Sequence, residues 1–335
     1  MRNSGRALIW FWSVVLAMLV IGGATLQLLG PPPPRAALRA DAPAQPVARE
    51  PVGDAAHLLA RNRPIAAPDA ALLQPHPTSP AGGLPRIADD GRAPMRLYAG
   101  WHDPESRLPR VGLLLVGIGL NSADSEDAIR SLPAGVTLGF SPYAANAAPL
   151  LQAAREARHE IVLSLPLEPH GVPLNDAGAQ ALLTGAPEEQ NRRRLEWSLG
   201  RIAGYAGVTG ALGILRGERF AAAPEPMGSL LREIAGRGLY YIDPRPDMVA
   251  PAHAWGRVVD IIVDDPPVRG DIDAKLTRLE QLARERGSAL GLASAPFPIA
   301  VGRIAVWAAG LEDRGIALVP VSALVRRPVG NVAQQ

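Results

Sequence analysis

Between residues 110 and 325 the chain alternates short apolar runs with longer segments whose apolar residues recur at helical spacing. Such nearly continuous apolar runs are typical of strands buried on both faces of a parallel sheet. Eight runs are predicted to be strands, at 111–116, 136–140, 160–165, 207–212, 239–242, 258–263, 289–293 and 317–320. The segments between them are predicted to be helices, at 122–132, 145–158, 188–202, 227–236, 272–287 and 299–314. This alternation predicts an α/β fold with a parallel sheet, either a barrel or a doubly wound sheet.

The start of the chain has a different pattern. Residues 7–29 contain no charged side chain, and about 20 apolar residues are enough to cross a bilayer as a helix. Arg2 and Arg6 precede this run, so the positive-inside rule places residues 1–6 in the cytoplasm. We expect a signal anchor in the inner membrane, with the body of the protein in the periplasm. The alternative is a cleaved signal peptide and a secreted body.

Residues 30–108 separate this run from the body and are rich in proline and alanine, with four consecutive prolines at 31–34. Such a composition buries too little apolar surface to offset the chain entropy. We therefore predict a disordered linker that holds the body away from the membrane. Residues 95–101 are more apolar and are the part of this segment best suited to pack on the body. The folded domain is predicted at 109–327, with a tail at 328–335.

Composition excludes several classes of protein. The 335 residues include no cysteine, which rules out disulfides, thiolate zinc sites and a cysteine nucleophile. The 34 basic and 32 acidic residues give a formal net charge of +2, without the dense basic face that nucleic-acid binding needs. Gly117 and Gly119 fit a tight turn better than a dinucleotide fingerprint, because no acidic residue follows at the expected distance. No two of the six histidines have the spacing of a helical zinc motif.

Candidate catalytic residues follow the predicted strands, because active sites of parallel barrels lie at the carboxyl ends of the strands. Glu168 follows the third strand and Asp243 the fifth, and a carboxylate can act as a general acid or base. Arg245 stands two residues after Asp243 and could orient it. We take Asp243, Arg245 and Glu168 as catalytic candidates. A structural role for each acid, as a helix or loop cap, stays open.

Three further residues at the same edge are candidates for substrate binding. His170 is the one histidine at the carboxyl end of a predicted strand, and Asp264 follows the sixth strand. Tyr143 follows the second strand and could stack on a sugar ring, as could Trp101 before the first strand.

Seven segments in this order resemble the divergent polysaccharide deacetylase family, relatives of the NodB-type carbohydrate esterases. They are LLLVGIGLN, AGVTLGFSPYA, ARHEIVLSLPLEP, GYAGVTGALG, RGLYYIDPRP, VVDIIVDD and the stretch 287–325. The resemblance runs from about residue 110 to 325. It implies a distorted (β/α) barrel of seven or eight strands in the cell envelope, in the context of carbohydrate metabolism. It also implies a polysaccharide or peptidoglycan partner, and a divalent metal such as zinc as the usual cofactor.

The residues that the resemblance implies for this metal are replaced. The expected pair of aspartates falls on Val116 and Gly117, and the motif that carries the metal-binding histidine falls on residues 210–213, which read GALG. Two further histidine positions fall on Ser164 and Ser294. Valine, glycine and serine are poor ligands for zinc. We therefore expect neither a metal site nor another cofactor.

Three hypotheses for function follow. The first is an envelope protein whose barrel binds a glycan or an envelope partner without metal-dependent catalysis. The second is an active polysaccharide or peptidoglycan N-deacetylase with a rearranged site, which requires the carboxylates to converge in one pocket. The third is a purely structural envelope protein, which requires no pocket at the strand ends. None of the three involves nucleic acid, and the sequence does not specify an oligomeric state.

Overall fold

A computed structural model describes residues 61–328 of the chain. Its strands, in chain order, are β1 Leu73–Pro75, β2 Gly83–Pro85, β3 Arg110–Ile118, β4 Val136–Phe140, β5 Ile161–Ser164, β6 Gly207–Thr209, β7 Tyr240–Asp243, β8 Gly256–Val258, β9 Ile261–Ile262, β10 Ser288–Ala293 and β11 Ala317–Leu318. The eight predicted strand positions all contain a strand, and the predicted strand 258–263 is interrupted, so that β8 and β9 lie on either side of two residues.

The helices are α1 Pro94–Leu97, α2 Ser122–Ser131, α3 Ala147–Glu156, α4 Glu188–Leu199, α5 Glu218–Ala221, α6 Pro224–Gly236, α7 Arg269–Arg286 and α8 Pro298–Ala309. Their ends follow from local chemistry. The Asn121 side chain caps α2 by accepting a hydrogen bond from the Asp124 amide. Helices α6 and α8 begin at a proline, and α7 ends at Arg286 and is capped by Gly287, which has a left-handed φ of 80°.

A parallel sheet forms the centre of the domain, in the order β8-β7-β6-β5-β4-β3-β10-β9, and β11 pairs with the first two residues of β3. The two edges of this path come together through the segment that contains β8 and β9. The Val259 amide donates to the Asp243 carbonyl at 2.9 Å, and the Asp260 amide donates to the Leu290 carbonyl at 2.8 Å. The sheet is therefore curled, with one short segment hydrogen-bonded to both β7 and β10, and the predicted α/β class is confirmed.

Two apolar layers lie on either side of the curled sheet. Along β3, Leu113 and Leu115 pack in the cluster that includes the surrounding helices. Leu114 and Val116 pack in a second cluster, inside the curl, with residues such as Ile242 and Leu292. Because strand residues alternate between faces, each strand supplies both layers, which explains why the strands read as continuous apolar runs.

The second half of the predicted linker is folded onto the body. Residues 61–108 contain β1, β2 and α1, and Leu72, Met95 and Tyr98 pack in the inner cluster together with Val321. This differs from the expectation of a disordered segment at 30–108. Leucine, methionine and tyrosine at spaced positions give the segment enough apolar surface to bury, although its overall composition is dominated by proline and alanine.

A buried glutamate ties this segment to the rest of the fold. Glu160, which precedes β5, is fully buried. Its Oε2 accepts a hydrogen bond from the Gly100 amide at 2.9 Å. Its Oε1 accepts from the Thr137 hydroxyl at 3.1 Å, the Tyr240 hydroxyl at 2.8 Å and the Ser322 amide at 2.9 Å. Four donors from distant parts of the chain therefore replace water around one carboxylate.

The membrane prediction concerns residues outside the described part of the chain. Residues 7–29 are not among residues 61–328, and within that range no helix is long and apolar enough to cross a membrane. The anchor at 7–29 stays a prediction.

We expect the Glu160→Gln variant to lose about 2–4 kcal/mol of unfolding free energy, because the new amide group places donors where only acceptors fit. Urea denaturation followed by circular dichroism measures this loss. The control is Glu156→Gln at the exposed end of α3, which we expect to change stability by less than about 0.5 kcal/mol. Equal stability of the two variants would show that the Glu160 network does not stabilise the fold.

Candidate functional site

A cleft of about 400 Å³ opens at the carboxyl ends of the central strands. Segments that follow β5, β6, β7 and β9 form its walls. Five polar side chains line it, namely His170, Arg216, Glu218, Arg245 and Asp265. Parallel strands bring their carboxyl ends to one edge, which places residues from distant parts of the sequence around one opening. Two of the predicted site residues, His170 and Arg245, lie in this cleft.

Asp243 lies behind Arg245 and is held by it. The Arg245 Nε donates to Asp243 Oδ1 at 2.9 Å, and Arg245 Nη2 donates to Oδ2 at 2.7 Å. The Arg245 amide also donates to Oδ1, at 3.1 Å. Asp243 is only 4% exposed, and its hydrogen bonds raise the pKa of Arg245 above its ordinary value. Both carboxylate oxygens are thus engaged in a bidentate ion pair, which fixes the guanidinium on the cleft wall.

Glu168 is engaged in a separate network. Its Oε2 accepts hydrogen bonds from the Thr184 amide at 2.6 Å and the Thr184 hydroxyl at 2.7 Å. Its Oε1 lies 3.2 Å from Arg219 Nη1. Burial opposes ionisation of Glu168, but the Thr184 hydrogen bonds and the Arg219 charge outweigh it and hold its pKa below the ordinary value. Glu168 therefore stays ionised and anchors the segment between β5 and α4.

Asp264 lies two residues after Ile262 of β9. Because strand side chains alternate between faces, Asp264 and Ile262 lie on the same, inner face of the curled sheet. Its Oδ2 accepts from the Ser294 amide at 2.7 Å and the Ala295 amide at 3.3 Å. Its Oδ1 has no hydrogen-bond partner within the described residues, and the same holds for the hydroxyls of Ser164 and Ser294. Burial raises the pKa of Asp264 despite the two amides. Asp243, Glu168 and Asp264 share no hydrogen-bond partner, so each carboxylate has a separate environment.

The two aromatic candidates for sugar stacking lie away from the cleft. The Tyr143 hydroxyl donates to the Ala177 carbonyl at 2.9 Å, and the Tyr143 ring lies 5.5 Å from the Trp197 ring. Tyr143 therefore supports the segment between β5 and α4. Trp101 follows Gly100, whose amide binds Glu160 before β5, so Trp101 lies at the opposite, amino-terminal edge of the sheet. Trp101 is therefore not placed to stack on a sugar ring in the cleft.

Two charged cleft residues, Arg216 and Glu218, were not predicted from the sequence. Both stand in the stretch LRGERF just after β6, whereas Asp265 directly follows the predicted residue Asp264. The position of LRGERF after a strand is a usable signal. The sequence hides this signal because the fourth predicted strand extends to residue 212, whereas β6 ends at Thr209 and the chain turns back between Leu212 and Leu215.

The residues at the implied metal positions do not fit a metal ion. Val116 is fully buried in the inner apolar cluster. Gly117 has a φ of 83°, a conformation that side-chain-bearing residues rarely adopt. Within residues 61–328 no three histidine or acidic side chains come close enough to hold a metal ion. An aspartate at residue 117 would be strained, so the backbone itself departs from what such a ligand needs.

The comparisons with known proteins identify the family. The model of the divergent polysaccharide deacetylase family matches residues 114–325. The chain belongs to this family, as the resemblance of its seven segments indicated. No curated protein matches the chain.

Several solved structures are similar to this chain, among them the following three. An uncharacterized protein from Agrobacterium tumefaciens is 35% identical, with a TM-score of 0.68, and the match covers 72% of this chain and 99% of that one. The catalytic domain of a peptidoglycan N-acetylglucosamine deacetylase from Eubacterium rectale is 12% identical, with a TM-score of 0.45 and coverage of 69% and 98%. A family 4 carbohydrate esterase from Streptomyces lividans, in complex with acetate, is 16% identical, with a TM-score of 0.36 and coverage of 63% and 92%.

We expect the Asp243→Asn variant to lose about 3 kcal/mol of unfolding free energy, because it leaves the Arg245 guanidinium half-buried without its counter-charge. Thermal and urea unfolding of the purified variant measure the loss. The matched control is Asp127→Asn, which breaks an exposed pair with Arg130 and is expected to cost less than about 0.5 kcal/mol. An Asp243→Asn variant as stable as the control would contradict a structural role for this pair.

Proposed function

We propose that this protein is a cell-envelope glycan-binding protein whose deacetylase-like domain holds its ligand in the cleft after β5, β6, β7 and β9, without metal-dependent catalysis. The observation that carries the proposal is the state of the carboxylates. Asp243 is paired with Arg245, and Glu168 is held by Thr184 and Arg219. Asp264 accepts hydrogen bonds from two amides through Oδ2 alone, and it shares no hydrogen-bond partner with the other two acids. General acid–base catalysis by a pair of these carboxylates would require them to converge on one substrate, and each lies in a separate environment.

The cleft has the size and the chemistry for a sugar unit. Its volume of about 400 Å³ lies within the range of small-molecule sites. Met248 and Ile262 supply an apolar wall, against which the carbon-bearing face of a sugar ring can pack. Arg245, Arg216 and His170 provide hydrogen-bond donors for hydroxyl groups. The ligand class we propose is an envelope polysaccharide or peptidoglycan.

One experiment separates binding from catalysis. The full-length protein, purified without chelator, is analysed for divalent metals and for acetate release from N-acetylated chitooligosaccharides and peptidoglycan. Binding of the same glycans is measured by calorimetry. We expect glycan binding, less than one equivalent of metal, and no acetate above that of heat-denatured protein. Stoichiometric metal with acetate release that is lost in Asp243→Ala would instead establish the active N-deacetylase with a rearranged site.

We further propose that residues 7–29 anchor the protein in the inner membrane and place the body in the periplasm. The uncharged run and the preceding Arg2 and Arg6 support this orientation. In a Gram-negative host, the full chain is expected to resist carbonate extraction, to dissolve in detergent, and to be cleaved by protease added to spheroplasts. A deletion of residues 7–29 serves as the control and should stay in the cytoplasm. Release of a shortened body into the periplasm would point to signal cleavage instead.

A further inference from the structure

The charged side chains that line the cleft differ in how they are paired. Arg245 is bidentate on Asp243, and Arg216 Nη2 lies 3.2 Å from Asp265 Oδ2. Each of these arginines therefore has its own counter-ion. Glu218 also lines the cleft, and it forms no salt bridge with any of residues 61–328. Its one polar contact is the His170 amide, which donates to Oε2 at the long distance of 3.4 Å.

Glu218 is thus the carboxylate of the cleft wall that forms no salt bridge within residues 61–328. Lys275 lies beyond Asp265 and contacts the main-chain carbonyl of that residue, and it does not line the cleft. Arg219 follows Glu218 in sequence but points to Glu168. The neighbouring cations therefore donate to other acceptors. The hydrogen bonds of Asp243 and, to a smaller degree, the charge of Glu218 raise the pKa of Arg245. No salt bridge joins Glu218 to Arg245, so a ligand in the cleft meets a carboxylate that is not directly paired.

The surroundings of this carboxylate define what could pair with it. Met248 and Ile262 form apolar surface in the same cleft, and Met248 is 45% exposed. A compact ring with one cationic group and several hydroxyls satisfies the carboxylate, the arginine donors and the apolar wall together. Charge-assisted hydrogen bonds of this kind are stronger than neutral ones.

We infer that the cleft selects amino sugars with a free, protonated amine, such as glucosamine units within a glycan, over their N-acetylated counterparts, through an ion pair with Glu218. This inference rests on the proposed glycan-binding function and specifies its ligand. An N-acetyl group carries no charge and would leave the Glu218 carboxylate unpaired, whereas the ammonium group pairs with it directly.

The test uses calorimetry on the full-length protein with three tetrasaccharides: a glucosamine tetramer, an N-acetylglucosamine tetramer, and a glucose tetramer as an uncharged reference. The pH is kept below the pKa of the sugar ammonium group. We expect the glucosamine tetramer to bind about tenfold more tightly than the other two. Added salt should reduce this preference, because an ion pair at an open cleft is screened.

The Glu218→Gln variant should bind the glucosamine tetramer about tenfold more weakly and keep its affinity for the two neutral tetramers. The matched control is Glu225→Gln, which removes a first-turn acid of α6 that does not line the cleft. It should leave all three affinities unchanged. Circular dichroism of both variants confirms that they fold.

The outcomes distinguish this inference from the proposed function. Equal binding of charged and neutral tetramers, or a Glu218→Gln variant with unchanged preference, would overturn the selection for amines while glycan binding stands. Failure of all three tetramers and of peptidoglycan to bind would overturn the proposed function, and with it this inference.

Discussion

The packing of distant segments against the amino-terminal end of the sheet depends on the buried carboxylate of Glu160. A carboxylate without water is unfavourable unless donors replace its hydration shell. The donors come from Gly100, Thr137, Tyr240 and Ser322, which lie before β3, on β4, on β7 and after β11. The network is therefore complete only when the segment before β3 and the segment after β11 have both docked. The correct placement of several segments that are distant in sequence therefore depends on one side chain, Glu160.

The two ends of the sheet differ, and the candidate site lies at the carboxyl end, opposite the Glu160 network. At the amino-terminal end, the inner apolar cluster packs beside the buried, fully hydrogen-bonded Glu160. At the carboxyl edge, the inward rows end in Val116, Ser164, Asp264 and Ser294, which are buried, and no metal cage forms there among the described residues. The open cleft lies to one side, between the segments after β5, β6, β7 and β9. The replaced residues at the implied metal positions and the open cleft beside them are the two features on which the proposal of ligand binding without hydrolysis rests.

The sequence predicted which strand ends carry several polar residues, but not how those residues are arranged. It placed Asp243, Arg245, Glu168 and His170 at strand ends, and all four stand there. It could not show that Arg245 occupies Asp243, or that Thr184, sixteen residues along the chain, occupies Glu168. It missed Arg216 and Glu218, because the reversal of the chain after β6 is set by a contact between Leu212 and Leu215 rather than by a strong turn motif. Such pairings depend on distances in space, which a linear pattern does not contain.

The sequence by itself determined the α/β class, the approximate positions of the strands after residue 109 and of six of the helices, the absence of cysteine chemistry and the family. These follow from periodicity, composition and motif order, which are local properties of the chain. The tertiary structure alone decided that part of the proline-rich segment folds onto the base, that the region of β8 and β9 joins both edges of the sheet, and that Glu218 is left without a counter-ion. Each of these results depends on contacts between groups that are distant in sequence. Such groups compete for the same hydrogen-bond donors, sheet edges and counter-ions, and the folding of the whole chain determines which of them pair.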